Sequence, residues 1–478
     1  MKISPNSAVA FAFVTCAMIV TSCAKDVETD INIDPTGNAI SFTPSVGHST
    51  RATETTISNL GNFAVVARGM HHDGVLYDNF LIGDKNAGEI AKRSNLQEGD
   101  NPTSGTWKLD RNVYWPSSLE KVLFFAYTTL KYNPTDTSTD VLGTNTDNTK
   151  PSFGFEGDNP YIKPYKPLKA DLATTGDDGI WADGKGQKDL LVAFTQQTRS
   201  SNPTNVDITF EHALTQVSIT AKQKDKTNDD HRIVKIKGAW IVNATEGGNL
   251  TTTYAQSDKE ASISKTWTTE GSKTAYGAFY TDIITLDNKN DKDLLREHSL
   301  MLVPEDLTAW ESSTNDDNGA YILLLCRVEL MHNGTSHTGS DIGDIAIEGT
   351  NHFHQLFPVN EEEYDGAEYG FVCVPLTSDW NTNGIGKHYT YNLDICGNKT
   401  GAGKYPPTMT EDDVKKLVPE GTQVSVTGSS ELKDLIVVTT PPSGKQAGDN
   451  VLDEPIKFTV KVEGWQAPQD WTPGNGSF

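Results

Sequence analysis

Val206-Asp207-Ile208-Thr209-Phe210-Glu211-His212-Ala213-Leu214-Thr215-Gln216-Val217-Ser218-Ile219-Thr220-Ala221 decides the fold class. Apolar and polar residues alternate at both ends of this stretch, so every second side chain lies on one face of an extended chain. The pattern predicts two strands with a bend near His212. Toward the C-terminus, Ile233 to Val242, Tyr321 to Leu330, Gly370 to Val374 and Tyr389 to Ile395 read as further strands. Pro455-Ile456-Lys457-Phe458-Thr459-Val460-Lys461-Val462-Glu463-Gly464-Trp465 alternates cleanly. Ile456, Phe458, Val460 and Val462 face one way there, and Lys457, Thr459, Lys461 and Glu463 the other. Toward the N-terminus, Leu60 to Ala67, Trp107 to Asp110, Val113 to Pro116, Val122 to Tyr127 and Asp189 to Phe194 have the same strand-like character. Lys131 to about Asp189 reads as a long loop of Thr, Asn, Asp, Pro and Gly, and only Glu411 to Val418 reads as a helix. The prediction is an all-β chain of two β-sandwich domains, divided at Ser200-Ser201-Asn202-Pro203.

Composition narrows the function. Sixty-four acidic against 40 basic residues among 478 give a net charge of −24. Such a surface repels phosphate backbones, so no nucleic-acid partner is expected. Of the five cysteines, Cys16 and Cys23 lie near the N-terminus. Cys326, Cys373 and Cys396 sit in or at the end of apolar strand-like runs, where buried free thiols are expected, with one disulfide as the alternative.

Lys2 is followed by the apolar run Ala8 to Val20, too short for a membrane span of roughly 20 residues. A basic residue and a short apolar core read as a secretory signal. Val20-Thr21-Ser22-Cys23 then sets small residues before a cysteine, as in a bacterial lipoprotein signal. Only a thiol can form the thioether to diacylglycerol, so Cys23 is the expected lipidation site after a signal over 1–22. Further on, Ala39-Ile40-Ser41-Phe42-Thr43 alternates like a strand. Ser49-Thr50-Arg51-Ala52-Thr53 has the composition of an exposed loop open to proteolysis.

No pattern in the chain carries catalytic chemistry. There is no Gly-x-Ser-x-Gly, His-Glu-x-x-His or phosphate-binding loop, and no enzyme activity or cofactor is expected. Asn315-Asp316-Asp317-Asn318-Gly319 lacks the spaced oxygens and final glutamate of a calcium loop. His352-Phe353-His354 puts two imidazoles on one strand face, but with no Cys or carboxylate at ligand spacing no metal is expected. Trp115 and Trp240 are expected in the core.

Taken together, the chain resembles the fimbrillins of Bacteroidetes, the subunits of type V pili. The resemblance rests on the lipoprotein signal and on Ile40-Ser41-Phe42 upstream of Thr50-Arg51-Ala52. It rests also on Val113-Tyr114-Trp115-Pro116 before Leu123-Phe124-Phe125-Ala126-Tyr127, and on Phe210 to Val217, Tyr389 to Asp394 and Phe458 to Trp465. It implies two transthyretin-like β-sandwich domains in tandem, at 52–203 and 204–478, behind a pro-segment at 23–51. It also implies an assembly route. An arginine-specific protease cuts between Arg51 and Ala52, the strand holding Ile40 and Phe42 is lost, and a neighbour's C-terminal strand fills the groove. Here the donor candidate is 455–465, with Ile456, Phe458, Val460 and Val462 inserted. The implied partners are other subunits of the same fimbrium, the outer membrane through the lipid before maturation, and host or bacterial receptors. Stalk and tip positions both stay open, because the two prolines in Gln466 to Gly474 bar a long regular strand there and a tip subunit needs no donor. The alternative is a monomeric surface lipoprotein that binds glycans through exposed aromatics.

Overall fold

The computed structural model describes residues 39–46, 60–71, 75–93, 106–116, 119–128, 141–142, 151–167, 180–181, 184, 187–198, 205–223, 231–256, 261–296, 298–313, 318–334, 346–348, 350–359, 368–397, 399–420, 422, 435–452 and 454–464. They form an all-β protein. The chain begins with β1 (Ser41–Val46), β2 (Phe63–Met70), β3 (Leu76–Ile82), β4 (Glu89–Arg93), β5 (Trp107–Leu109) and β6 (Lys121–Thr128). A hairpin of β7 (Ser152–Glu156) and β8 (Asn159–Tyr165), the short β9 (Ile180–Trp181), and then β10 (Leu191–Thr198) and β11 (Asn205–His212) follow.

Eight of these strands make one sheet in the order β3-β2-β4-β5-β1-β11-β10-β6, and β6 also pairs with β2. The sheet therefore closes on itself, with β1 as one link of the ring. In its two most apolar strands, Phe63 to Ala67 and Val122 to Tyr127 run without polar interruption, and the packing explains why. On β2, Phe63, Val65 and Ala67 fill the inside of the ring, while Ala64 and Val66 face outward into a second apolar cluster. On β6, Val122, Phe124 and Ala126 point in, and Phe125 and Tyr127 point out. A strand covered on both faces has no solvent side to mark with polar residues.

The outer cluster joins the two halves of the molecule. Phe153 of β7 stacks on Tyr127 at 4.4 Å and on Phe125 at 5.6 Å. Beyond β11, the second half holds β12 (Thr215–Lys222) and the long pair β13 (Arg232–Gln256) and β14 (Ala261–Thr285). β8 pairs with β13 through Leu250↔Ile162 and Thr251↔Tyr161, and Trp267 of β14 donates its indole N–H to the carbonyl of Ala213 at 2.7 Å. The hairpin thus reaches across the junction. Register shifts at Ile236/Gly238, Val242/Ala244 and Thr245/Gly247 are the bulges that bend so long a ribbon.

The remaining strands are β15 (Lys292–Asp293), β16 (Leu300–Leu302), β17 (Tyr321–Asn333), β18 (Ala346–Glu348), β19 (Asn351–Phe357), β20 (Glu368–Pro375), β21 (Lys387–Asp394), β22 (Ile436–Val438) and β23 (Lys457–Gly464). A sheet of β15-β12-β21-β23 with β16 faces a ten-stranded sheet built on β13, β14, β17 and β20. Their shared core includes Val217 and Ile219, Tyr391 and Leu393, and Ile322, Leu324 and Val372. This half is a β-sandwich. Two short helices complete it, α1 (Trp380–Asn383) and α2 (Glu411–Lys415), the latter closed by a Thr410–Asp413 capping box. Cys326, Cys373 and Cys396 are buried free thiols, and burial raises the first two well above the ordinary thiol range.

Two expectations need correction. Within the expected loop from Lys131 to Asp189 lie β7, β8 and β9, held by Phe153, Ile162 and Tyr165 in the apolar cluster at the junction. The passage between sheets also falls later than Asn202-Pro203. β11 hydrogen-bonds with β10 and β1 in the first sheet, and the chain crosses only at Ala213-Leu214. A buried contact pins that crossing, His212 Nδ1 to Asp189 Oδ2 at 2.7 Å. The bend at His212 is where the sequence places it.

Candidate functional site

The first strand is the centre of the site. β1 runs parallel to β11 from Ser41↔Asn205 to Val46↔Phe210 and meets β5 on its other edge at Phe42↔Trp107. Upstream, the Ile40 amide donates to the Val113 carbonyl at 2.7 Å. Alternate residues point inward: Ile40, Phe42 and Pro44 are buried and Val46 is half-buried, while Thr43 and Ser45 are exposed. Phe42 is fully enclosed. Its ring meets Phe63 at 5.9 Å and Phe124 at 6.0 Å, both edge-on, and Phe63 in turn meets Phe210 at 5.2 Å. Trp107 closes the far side and donates its indole N–H to the Gly61 carbonyl. The outward face is polar, with Ser41 hydroxyl on the Asn205 side-chain oxygen and Ser45 Oγ 3.1 Å from Thr209 Oγ1. Asp207 and Glu211 stand on the same exposed face of β11.

In this arrangement β1 closes the ring between β5 and β11. Taking it out breaks the ring between β5 and β11, bares the ladder groups of β11, and leaves an apolar trough under Phe63, Trp107, Phe124 and Phe210. Such an edge invites another strand.

The second part of the site is the last strand. β23 pairs with β21 over its full length, from Lys387↔Gly464 to Asp394↔Lys457, and among the described residues β21 is its one partner in the sheet. Directly opposed residues share a face, so Phe458, Val460 and Val462 lie on the side of Leu393, Tyr391 and Tyr389, the core side. Ile456 is buried there, and Phe458 is half-buried with its ring 6.1 Å from Tyr391. Val460 and Val462 are not covered, with 42% and 51% of their surface exposed. The outward side carries Lys457, Lys461 and Glu463, the last two paired at 2.8 Å. Opposite Glu463 stands His388, which burial keeps neutral by lowering it to about 4, with Nε2 2.8 Å from the Ser218 hydroxyl.

The structure thus places Ile40 and Phe42 in one core and Ile456, Phe458, Val460 and Val462 on a loosely covered edge strand. Cys23, Arg51 and Ala52 lie outside the described residues. Arg68, the next arginine, is held in β2, where its guanidinium binds the Tyr77 carbonyl and Asp158 and lies over the Phe80 ring. Sequence reasoning missed Phe63, Trp107, Phe124 and Phe210 as the lining of the trough. They read only as strand residues, and nothing in their local spacing shows that the ring closes around Phe42.

A family model described as fimbrillin-like matches residues 50–325. No curated protein matches the chain. Among solved structures, a fimbrial protein from Bacteroides vulgatus is 15% identical, with a TM-score of 0.42, over 89% of this chain and 99% of that one. A structure from Parabacteroides distasonis, described as a candidate cell adhesion protein, is 9% identical with a TM-score of 0.36, over 91% and 99%. Another so described, from Bacteroides ovatus, is 10% identical with a TM-score of 0.31, over 75% and 92%.

Proposed function

The chain belongs to the fimbrillin-like family, and from that premise we propose that it is a structural subunit of an adhesive surface fimbrium. Residues 1–22 direct export, Cys23 carries the lipid that anchors the precursor at the outer membrane, and 23–51 is a pro-segment. An arginine-specific protease cuts between Arg51 and Ala52. β1 leaves, and β23 of a neighbouring subunit enters the opened ring.

One observation carries this reading. The inserted segment is Ile40-Ser41-Phe42-Thr43-Pro44-Ser45-Val46, and the edge strand is Ile456-Lys457-Phe458-Thr459-Val460-Lys461-Val462. Isoleucine, phenylalanine, threonine and valine recur at the same places. In that register Phe458 takes the Phe42 pocket, Val460 takes the place of Pro44 and supplies a main-chain N–H that proline lacks, and Val462 follows Val46. The serines on the outward face become Lys457 and Lys461, beside Asp207 and Glu211 of the receiving β11. Four such side chains at roughly 1.5–3 kcal/mol each give a gross ~6–12 kcal/mol before the costs of ordering. The reading is supported further by Val460 and Val462, which among the described residues stay exposed in their own sheet.

The proposed cut rests on the sequence: Arg51 is the only lysine or arginine between Lys25 and Arg68, and Arg68 is buried in its ion pair. The glycan-binding alternative needs exposed aromatics. Among the described residues the exposed large apolar side chains are Val75, Ile283, Val359, Val460 and Val462, all aliphatic.

The test is an Arg51→Ala chain expressed on the cell surface beside the wild type. It is expected to stay a lipid-anchored monomer, because β1 keeps the ring closed. Normal polymer from Arg51→Ala would remove the cut as the trigger.

A further inference from the structure

A second cluster stands apart from the groove and the edge strand. On the outer part of the ten-stranded sheet, β17 and β19 run antiparallel with His332 opposite His352 and Leu330 opposite His354. Opposed residues, and residues two apart on a strand, share a face. His332, His352 and His354 therefore project on the same side. His332 Nε2 and His354 Nε2 are 2.6 Å apart, with ring centres at 4.8 Å and planes within 7°. His352 lies against His332 at 5.3 Å with planes within 10°. His352 and His354 are each 5% exposed, and His332 is half-buried.

Two nearly coplanar imidazoles that aim Nε2 at Nε2 share one proton, so one of these nitrogens carries a lone pair directed at the other. Both atoms are the donors that a borderline divalent ion takes from histidine. Two nitrogens bound to one tetrahedral ion at 2.0–2.1 Å sit about 3.3 Å apart. The pair would open by less than about 1 Å, within reach of small side-chain rotations. Among the described residues no three such side chains already gather their donor atoms around one point; His352 comes in by rotation of its ring. A His-x-His pair on one strand and a histidine on its neighbour then supply three imidazoles, leaving a further position for water.

We propose that His332, His354 and His352 bind one divalent transition-metal ion of the zinc class. The ion would tie the outer hairpin β18–β19 to β17. No carboxylate or thiol takes part, which favours ions that prefer imidazole over calcium or magnesium.

The experiment titrates the untagged chain, stripped with a chelator, with Zn²⁺ alone in a calorimeter, and follows melting with and without the metal. The wild type is expected to bind one Zn²⁺ per chain and to melt higher in its presence. His332→Ala and His354→Gln should each weaken binding by at least ~10-fold, since even the supporting partners of metal ligands cost that much. Both should lose the Zn²⁺-dependent rise in melting. His231→Ala, an exposed histidine beside Met331, should bind as the wild type does. Melting of each variant in chelator checks folding, and His354→Gln keeps a polar side chain of similar size where alanine could disturb the sheet. Absence of stoichiometric Zn²⁺ binding would overturn the proposal. So would unchanged binding in both His332→Ala and His354→Gln, or an equal loss in His231→Ala.

Discussion

Val460→Asp combined with Val462→Asp is expected to abolish assembly while the monomer melts almost as before. Both side chains are about half exposed in the monomer, so a carboxylate at either position stays in water. Exposed substitutions of this kind stay within about 0.5 kcal/mol of the parent. In the proposed insertion the same positions take the places of Pro44, which is buried, and Val46, which is half-buried. An unpaired carboxylate buried there costs several kcal/mol. At 1.4 kcal/mol per decade, a loss of about 4 kcal/mol lowers subunit affinity roughly a thousandfold. Thermal melting of the purified monomer and a polymer assay on the same variant separate the outcomes. A large fall in melting temperature would mean that β23 is fixed in its own sandwich. Full assembly would mean that another segment is the donor.

Phe42→Ala should have the largest effect on stability, and only before maturation. The ring is fully enclosed between Phe63 and Phe124, and truncating a buried phenylalanine costs about 3–5 kcal/mol. For a unit of this size that is a fall of about 6–20 °C in the precursor's melting temperature. In the proposed route the mature subunit, cut after Arg51, no longer contains the residue. Once cleaved, Phe42→Ala subunits should therefore assemble into fimbriae of ordinary stability. A precursor that melts unchanged would show that β1 does not hold the ring.

The alternating strands were legible because each has a wet face and a dry face. Val206 to Phe210 in the ring and Ile456 to Val462 in the sandwich alternate for that reason, and the bend at His212 follows from the change of sheet. Other parts could not be read locally. β14 is 25 residues long, yet Thr, Ser, Lys and Glu fill much of it, because one stretch lies over solvent. β7 and β8 hide among prolines and glycines, and their core residues Phe153, Ile162 and Tyr165 act only once the junction exists. β2 and β6 are continuous apolar runs, which fit a strand with two covered faces but say nothing about a closed ring.

The candidate site divides in the same way. Ile40 and Phe42 were visible as a strand, and Ile456 to Val462 as an amphipathic one. What the sequence could not supply was the neighbourhood: the parallel pairing of β1 with β11, the pocket around Phe42, and the uncovered flank of Val460 and Val462. The histidines follow suit. His352 and His354 share a face by spacing alone, whereas His332 joins them only through the register of β17 against β19.

The central claim is that assembled subunits lack β1. The direct measurement is the N-terminus of subunits stripped from purified surface fimbriae, read by sequencing and intact mass. The account predicts a chain that begins at Ala52, with no peptide containing Ile40 or Phe42. Assembled subunits that begin at Cys23 and retain both residues would contradict it.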